Sequence, residues 1–333
     1  MITVENLSKS FRGESRAGAV ALDDVSLEVP AGSVCGVVGP SDAGKSALAR
    51  CVGLLDKPDR GAVKIDGTNL SALDGAALRA ARRHIGVVPD GDSLLRQRTA
   101  AGNVALPLEA AEMPGPQRRA RVAELLDLVG MTDKAPLHPE QLTDGQRRRV
   151  AVARALAAKP SVLVADEPTA GLDSSTAEAV LTVLDRARSE LGATVLLTTA
   201  DTAVVRRIAD EAVVLDGGRV VEQGKVLDLV SEPGSRLGTS LLPDAGSGRR
   251  HDVVAEVVLV GFAAVGALLP EAAGRFGVDL AVLGGGMTRL GDTPVAKFRI
   301  GLTGERSEAA LKWMVDRDAQ VRRTPVSVEG VAA

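Results

Sequence analysis

The sequence predicts an α/β chain: an antiparallel edge sheet, a mostly parallel sheet with helices packed on it, and then a smaller α+β domain. Three observations carry this. Continuous apolar runs recur at "SVCGVVGP", "HIGVVP" (84–89), "SVLVADEP" (161–168) and "TVLLTT" (194–199), as strands buried on both faces require. Helical periodicity separates the runs, which favours parallel pairing through crossovers. Beyond "GGRVVEQGK" the texture changes to a polar stretch, followed by a new succession of short elements.

Taken in order, "ITVENLSKSF" and "ALDDVSLEVP" alternate apolar and polar residues, as strands of a half-exposed sheet do. "SVCGVVGP" is the first buried strand, and the chain turns helical from Ser46. Residues 118–158 are rich in Arg, Ala, Leu and Glu at helical spacing, which predicts a helical subdomain over about 90–158. The stretch 231–252 concentrates Gly, Ser, Pro and charge without periodicity and reads as a linker. Strand 253–260, helix 264–276, strands 278–284 and 295–303, helix 307–318 and strand 320–327 then give the β-α-β-β-α-β order of a ferredoxin-like fold. The expected domains are 1–230, the linker, and 253–328.

A chain of 333 residues has room for two cores, and 45% hydrophobic with 25% charged residues is a globular composition. A net charge of -3 argues against a nucleic-acid partner. The longest uncharged apolar run, Val257 to Leu269, is shorter than the ~20 residues of a membrane helix. "MITVENLSKS" has no apolar targeting core, and Cys35 and Cys51 lie in apolar surroundings, so a reducing cytoplasmic setting with two buried thiols is expected.

"GPSDAGKS" matches G-x-x-x-x-G-K-[ST] between a buried strand and a helix. Its glycines let backbone N–H groups converge on phosphate oxygens, its lysine adds a positive charge, and its serine hydroxyl faces Mg²⁺. Gly39, Pro40, Ser41, Asp42 and Ala43 lead into Gly44, Lys45, Ser46 and Ala47, and the whole loop is expected to hold the phosphates of a nucleotide. The apolar strand "VLVADEP" ends in two carboxylates. Asp166 is placed to hold Mg²⁺ or its water, and Glu167 to orient and deprotonate an attacking water, with Lys45 as the other catalytic residue.

With these motifs in place, "QLTDGQRRRVAVARAL" (141–156) resembles the signature segment of the ABC ATPases, and "AGLD" (170–173) resembles their D-loop. The resemblance implies that Thr143, Asp144, Gly145 and Gln146 close over ATP held by a second copy of the chain, that Asp173 joins that contact, and that Phe11 stacks on adenine. "RRHIGVV", "NVALPLE", "AVVRRIADEAVVLDGGRVVEQG" and "EAAGRFGVDLAVL" resemble more closely the ATP-binding subunits of methionine importers with a C-terminal NIL domain. That resemblance implies a homodimer at the cytoplasmic face of the membrane, docked on two integral-membrane permease subunits and fed by a substrate-binding lipoprotein, with methionine bound by the C-terminal domain.

Four positions depart from the ABC pattern. Asp42 and Asp144 stand where glycine is usual, Asp90 matches the glutamine that touches Mg²⁺, and Ala200 matches the switch histidine. Asp90, a hard oxygen ligand, is still able to serve the metal beside Ser46 and Asp166. In the second domain Ala281, Val282 and Leu283 match the asparagine-isoleucine-leucine of the NIL family. The leading expectation is an importer ATPase with weakened hydrolysis; the alternative is a largely non-hydrolytic ATP-binding regulator.

Overall fold

The strand C-termini, where the candidate residues cluster, are brought to one edge by a six-stranded sheet whose strands lie in the order Arg219–Lys225, Glu211–Asp216, Val34–Val38, Thr194–Thr199, Val162–Asp166, Ile85–Val88. The computed structural model describes residues 1–11, 19–91, 93–232, 234–241 and 251–323. They fall into two compact units, Met1–Gln223 and Gly224–Ala333.

The first unit opens with β1 (Ile2–Phe11), β2 (Ala19–Val29) and β3 (Val34–Val38), followed by α1 (Lys45–Val52), β4 (Arg60–Ile65), β5 (Thr68–Asn69), α2 (Gly75–Arg82) and β6 (Ile85–Val88). Strands β1, β2, β4 and β5 form the expected antiparallel sheet. The helical subdomain holds α3 (Ala100–Ala110), α4 (Gly115–Leu128) and α5 (Asp144–Ala155). The chain then returns to the central sheet through β7 (Val162–Asp166), α6 (Ser174–Leu191), β8 (Thr194–Thr199), α7 (Thr202–Ile208), β9 (Glu211–Asp216) and β10 (Arg219–Lys225). Strand β3 pairs parallel to β8 and β9, and β7 parallel to β6 and β8.

The unbroken apolar runs are explained by a core on each face. Val162, Val164 and Leu196 enter the core beneath α1 and the antiparallel sheet, while Leu163, Ala165, Val195 and Leu197 enter the core shared with the helical subdomain. Strand alternation sends neighbours to opposite faces, so the middle of each strand leaves no position for a polar residue, and the buried Thr194, Thr198, Thr199 and Asp166 fall at strand ends. Leu163 is fully buried. Leu163→Ala is expected to cost about 2–5 kcal/mol, read as a lower urea midpoint at unchanged m-value. Cys35 and Cys51 are both free and buried, and burial pushes the first thiol up to about 12 and the second to about 11.

The second unit begins with α8 (Val226–Ser231) and α9 (Arg236–Leu241). These helices occupy the end of the predicted first domain and the start of the predicted linker, and the contact boundary lies at 223/224 rather than 230. Leu237 and Leu241, four residues apart, are buried on one face of α9, an apolar pair that the surrounding Gly, Ser and Pro obscure in the sequence. Residues 242–250 of the linker and the end of the last predicted strand, 324–327, lie outside the described residues.

The ferredoxin-like elements follow as β11 (Val253–Val260), α10 (Phe262–Val265), α11 (Leu268–Phe276), β12 (Asp279–Leu290), β13 (Thr293–Thr303), α12 (Ser307–Val315) and β14 (Gln320–Arg323). The antiparallel order β12-β13-β11-β14 is that of the predicted β-α-β-β-α-β fold. Two predicted elements differ most from those observed. The first helix is split between Val265 and Leu268, around Gly266, and β12 runs on to Leu290 because its glycines 284–286 stay paired with β13 across a register shift.

Candidate functional site: a phosphate loop facing two strand-end carboxylates

Close backbone approach dictates the glycines of the loop. A Cβ on Gly39 would stand 2.1 Å from the Leu215 carbonyl oxygen, and one on Gly44, at φ 95°, 2.1 Å from that of Ala21. Ala43 and Ala47 are buried and seat the start of α1 on the core, leaving Pro40, Ser41 and Asp42 exposed. Asp42 does not have a positive φ, so a side chain is accommodated where the resemblance expects glycine.

Lys45, only 3% exposed, opens α1 directly after Gly44. Its ammonium donates to the Gly39 and Pro40 carbonyl oxygens at 2.9 and 3.0 Å and lies 3.3 Å from Glu167 Oε1. The Ser46 hydroxyl donates to Asp166 Oδ1 at 3.1 Å. Thr198, which sequence reasoning did not single out, joins the two carboxylate residues. Its hydroxyl donates to Asp166 Oδ1 at 2.6 Å and accepts the Glu167 N–H at 3.1 Å. The register pairs Asp166 with Thr198, so the threonines closing "TVLLTT" were the available signal.

Glu167 has φ 44°, the left-handed region that a non-glycine residue enters at a cost of about 1–3 kcal/mol. Its Oε2 accepts the Ala200 N–H at 3.3 Å, so position 200 meets the carboxylate through main chain. Lys45, Ser46, Asp166 and Glu167 are thus brought together at the strand ends. Ser46 and Asp166 offer a hydroxyl and a carboxylate already turned to each other, a hard-oxygen set that fits Mg²⁺ with its remaining ligands from water and phosphate.

Asp90 does not join this set. Its Oδ1 meets Arg148 at 3.1 Å and accepts the Gly91 N–H at 2.7 Å, and no hydrogen bond or ion pair among the described residues links it to Ser46 or Asp166. The adjacent guanidinium, only 10% exposed, is the partner that the structure gives this carboxylate.

Thr143 caps α5, accepting the Gln146 N–H at 3.4 Å while Gln146 Oε1 accepts the Thr143 N–H at 3.0 Å. Gly145 is required here, since a Cβ would stand 1.9 Å from Thr176 Cγ2. Asp144 beside it is exposed and ion-paired with Arg147. Asp173 caps α6 through the Ser175 and Thr176 N–H groups, and the hydroxyls of the same two residues hold its carboxyl well below the usual carboxylate range. Phe11 ends β1 at 42% exposure with the Lys9 ammonium 5.5 Å from its ring centroid, an open face of the kind a base stacks on.

Residues 22–170 match the ABC transporter family and residues 253–323 the NIL domain. The chain is 46% identical to the methionine import ATP-binding protein MetN of Thermobifida fusca (strain YX), over 98% of this chain and all of that one. It is 42% identical to methionine import ATP-binding protein MetN 1 of Rhodococcus jostii (strain RHA1), over 97% of this chain and 98% of that one. Among solved structures, a dimeric ATP-binding cassette in a post-hydrolysis state with ADP and Pi is 36% identical at TM-score 0.63, covering 68% of this chain and 98% of that one. The cbiO1 protein of Clostridium perfringens, part of an ABC transporter complex, is 29% identical at TM-score 0.62 over 69% of this chain and 90% of that one. An ATPase loop and strand-end carboxylates in the first unit, a NIL domain in the second, and this identity along nearly the whole length establish that the chain belongs to the family of methionine import ATP-binding proteins of ABC transporters.

Proposed function

We propose that the chain is the ATP-hydrolysing subunit of a methionine importer, acting as a homodimer whose closure on two ATP molecules drives a pair of integral-membrane permease subunits at the cytoplasmic face of the membrane. A substrate-binding lipoprotein delivers the amino acid. The observation that carries the reading is the Lys45–Glu167 and Ser46–Asp166 cluster at the strand ends, in a chain similar along its length to methionine import ATP-binding proteins.

The chemistry follows from the cluster. Residues 39–47 bind the phosphates, and Lys45 supplies a desolvated positive charge there. Mg²⁺ held by Ser46 and Asp166 would neutralise phosphate charge. Thr198 fixes Asp166 and the Glu167 main chain together, so that Glu167 presents its carboxylate as the base that takes a proton from the attacking water. The Lys45 ammonium and the Ala200 N–H keep that carboxylate aimed. The non-hydrolytic alternative is not favoured: the base and the lysine are in place, and Asp90 and Asp144 both carry a counter-charge.

In the second unit an open apolar cavity of about 480 Å³ is lined by Leu259, Leu269, Leu280, Val282 and Phe298, a lining suited to a thioether side chain. Val282 faces it and Ala281 does not line it, so the replaced asparagine position lies outside the apolar part of the proposed methionine site. The whole reading is tested by proteoliposomes holding the chain with its permease. ATP-dependent accumulation of labelled methionine is expected, and ATP hydrolysis without uptake of any amino acid would reject the importer role.

A further inference from the structure

Two of the four altered positions bring carboxylates to the face expected to close on nucleotide, and both meet arginines that are consecutive on α5. Arg147 turns back along the helix to Asp144, three residues earlier, and also donates to the Leu142 and Pro139 carbonyl oxygens at 2.7 and 3.3 Å. Arg148, about 100° further round, crosses to the loop after β6. There it donates to the Pro89 carbonyl oxygen at 3.0 Å and to Asp90 at 3.1 Å. Asp144, Arg147 and Arg148 line one cavity of about 220 Å³ with Gly91 and with Ala170 and Gly171 from the turn before α6. The cavity thus joins the signature segment, the loop after β6 and the D-loop, all parts that the proposed function assigns to closure over ATP.

We infer that Arg147 and Arg148 are positioning residues for ATP-driven closure, each cancelling a carboxylate that would otherwise oppose the phosphates. The two differ in kind. Asp144 is 70% exposed, so without Arg147 it presents a free negative charge at the N-terminus of α5 and repels the nucleotide through screened solvent. Arg148 is nearly covered, so without Asp90 a buried guanidinium loses its counter-ion, and without Arg148 the loop loses its tie to α5. Restoring a neutral side chain at position 90 alone therefore harms the protein, and the acid and the arginine have to be exchanged together.

The inference rests on the proposed ATPase dimer, and its test separates the two. Full-length protein carrying Arg147→Gln, Asp144→Gly or both, and Arg148→Gln, Asp90→Gln or both, is assayed for thermal midpoint and for the ATP concentration giving half-maximal dimerisation by light scattering in MgCl₂. Arg147→Gln is expected to raise that concentration at least about tenfold in 25 mM KCl and much less in 500 mM, and Asp144→Gly to bring it back within about threefold. Arg148→Gln and Asp90→Gln are each expected to lower the midpoint and weaken dimerisation, with the double substitution recovering both. Single variants that dimerise like wild type, or losses that the second substitution does not recover and salt does not change, would overturn the inference. A wild type that binds ATP and dimerises but never hydrolyses would reject the ATPase reading, while the dimerisation data would still decide the pairs.

Discussion

Lys45→Ala is expected to abolish measurable ATP binding. The ammonium is almost fully buried, is held by two carbonyl oxygens of its own loop, and lies against Glu167. Deleting it removes the loop's side-chain cation and leaves Asp42, Asp166 and Glu167 around the phosphates with one fewer positive charge to offset them. Charge-assisted contacts of this kind contribute about 1.5–3 kcal/mol each. A loss of at least about 100-fold in affinity, roughly 2.8 kcal/mol, is the expected calorimetric result. Affinity within about threefold of wild type would mean that nucleotide is held somewhere other than residues 39–47.

Glu167→Gln is expected to lower turnover by about 10²–10⁴-fold while leaving ATP affinity nearly unchanged, the signature of a lost general base. The amide keeps the shape of the side chain but cannot accept the proton of the attacking water. The geometry supports a dedicated role: the residue sits at a positive φ, its N–H is held by Thr198, and its two carboxylate oxygens meet Lys45 and the Ala200 N–H. Such a constrained conformation is kept where neighbouring contacts over-determine it. Single-turnover hydrolysis measured beside ATP titration separates the effects. Equal losses in affinity and turnover would point to a structural collapse of the loop.

The phosphate loop and the strand-end carboxylates were legible because their chemistry is local. Gly39, Gly44, Lys45 and Ser46 lie within one short stretch, and Asp166 and Glu167 end a run of apolar residues that has no other reason to stop in charge. The buried strands were legible because two cores, one on each face, leave no polar position between them. What escaped depends on groups distant in sequence. Thr198 reaches Asp166 across a parallel pair, and Arg148 reaches Asp90 from 58 residues away. In the sequence Asp90 and Asp144 stand only as departures from the family pattern, and the fold shows consecutive arginines of one helix answering each of them. Helix α9 was hidden for a different reason: surrounding Gly, Ser and Pro masked its single buried apolar pair, Leu237 and Leu241.

We propose that Glu167 serves as the base of ATP hydrolysis although Ala200 and three aspartates stand at altered positions. This role is tested most directly by steady-state phosphate release from the purified protein with its permease and Mg²⁺, wild type against Glu167→Gln under the same conditions. A wild-type rate at least about 100-fold above that of the variant is expected. Phosphate release from wild type no faster than from Glu167→Gln, in protein that still binds ATP, would contradict it.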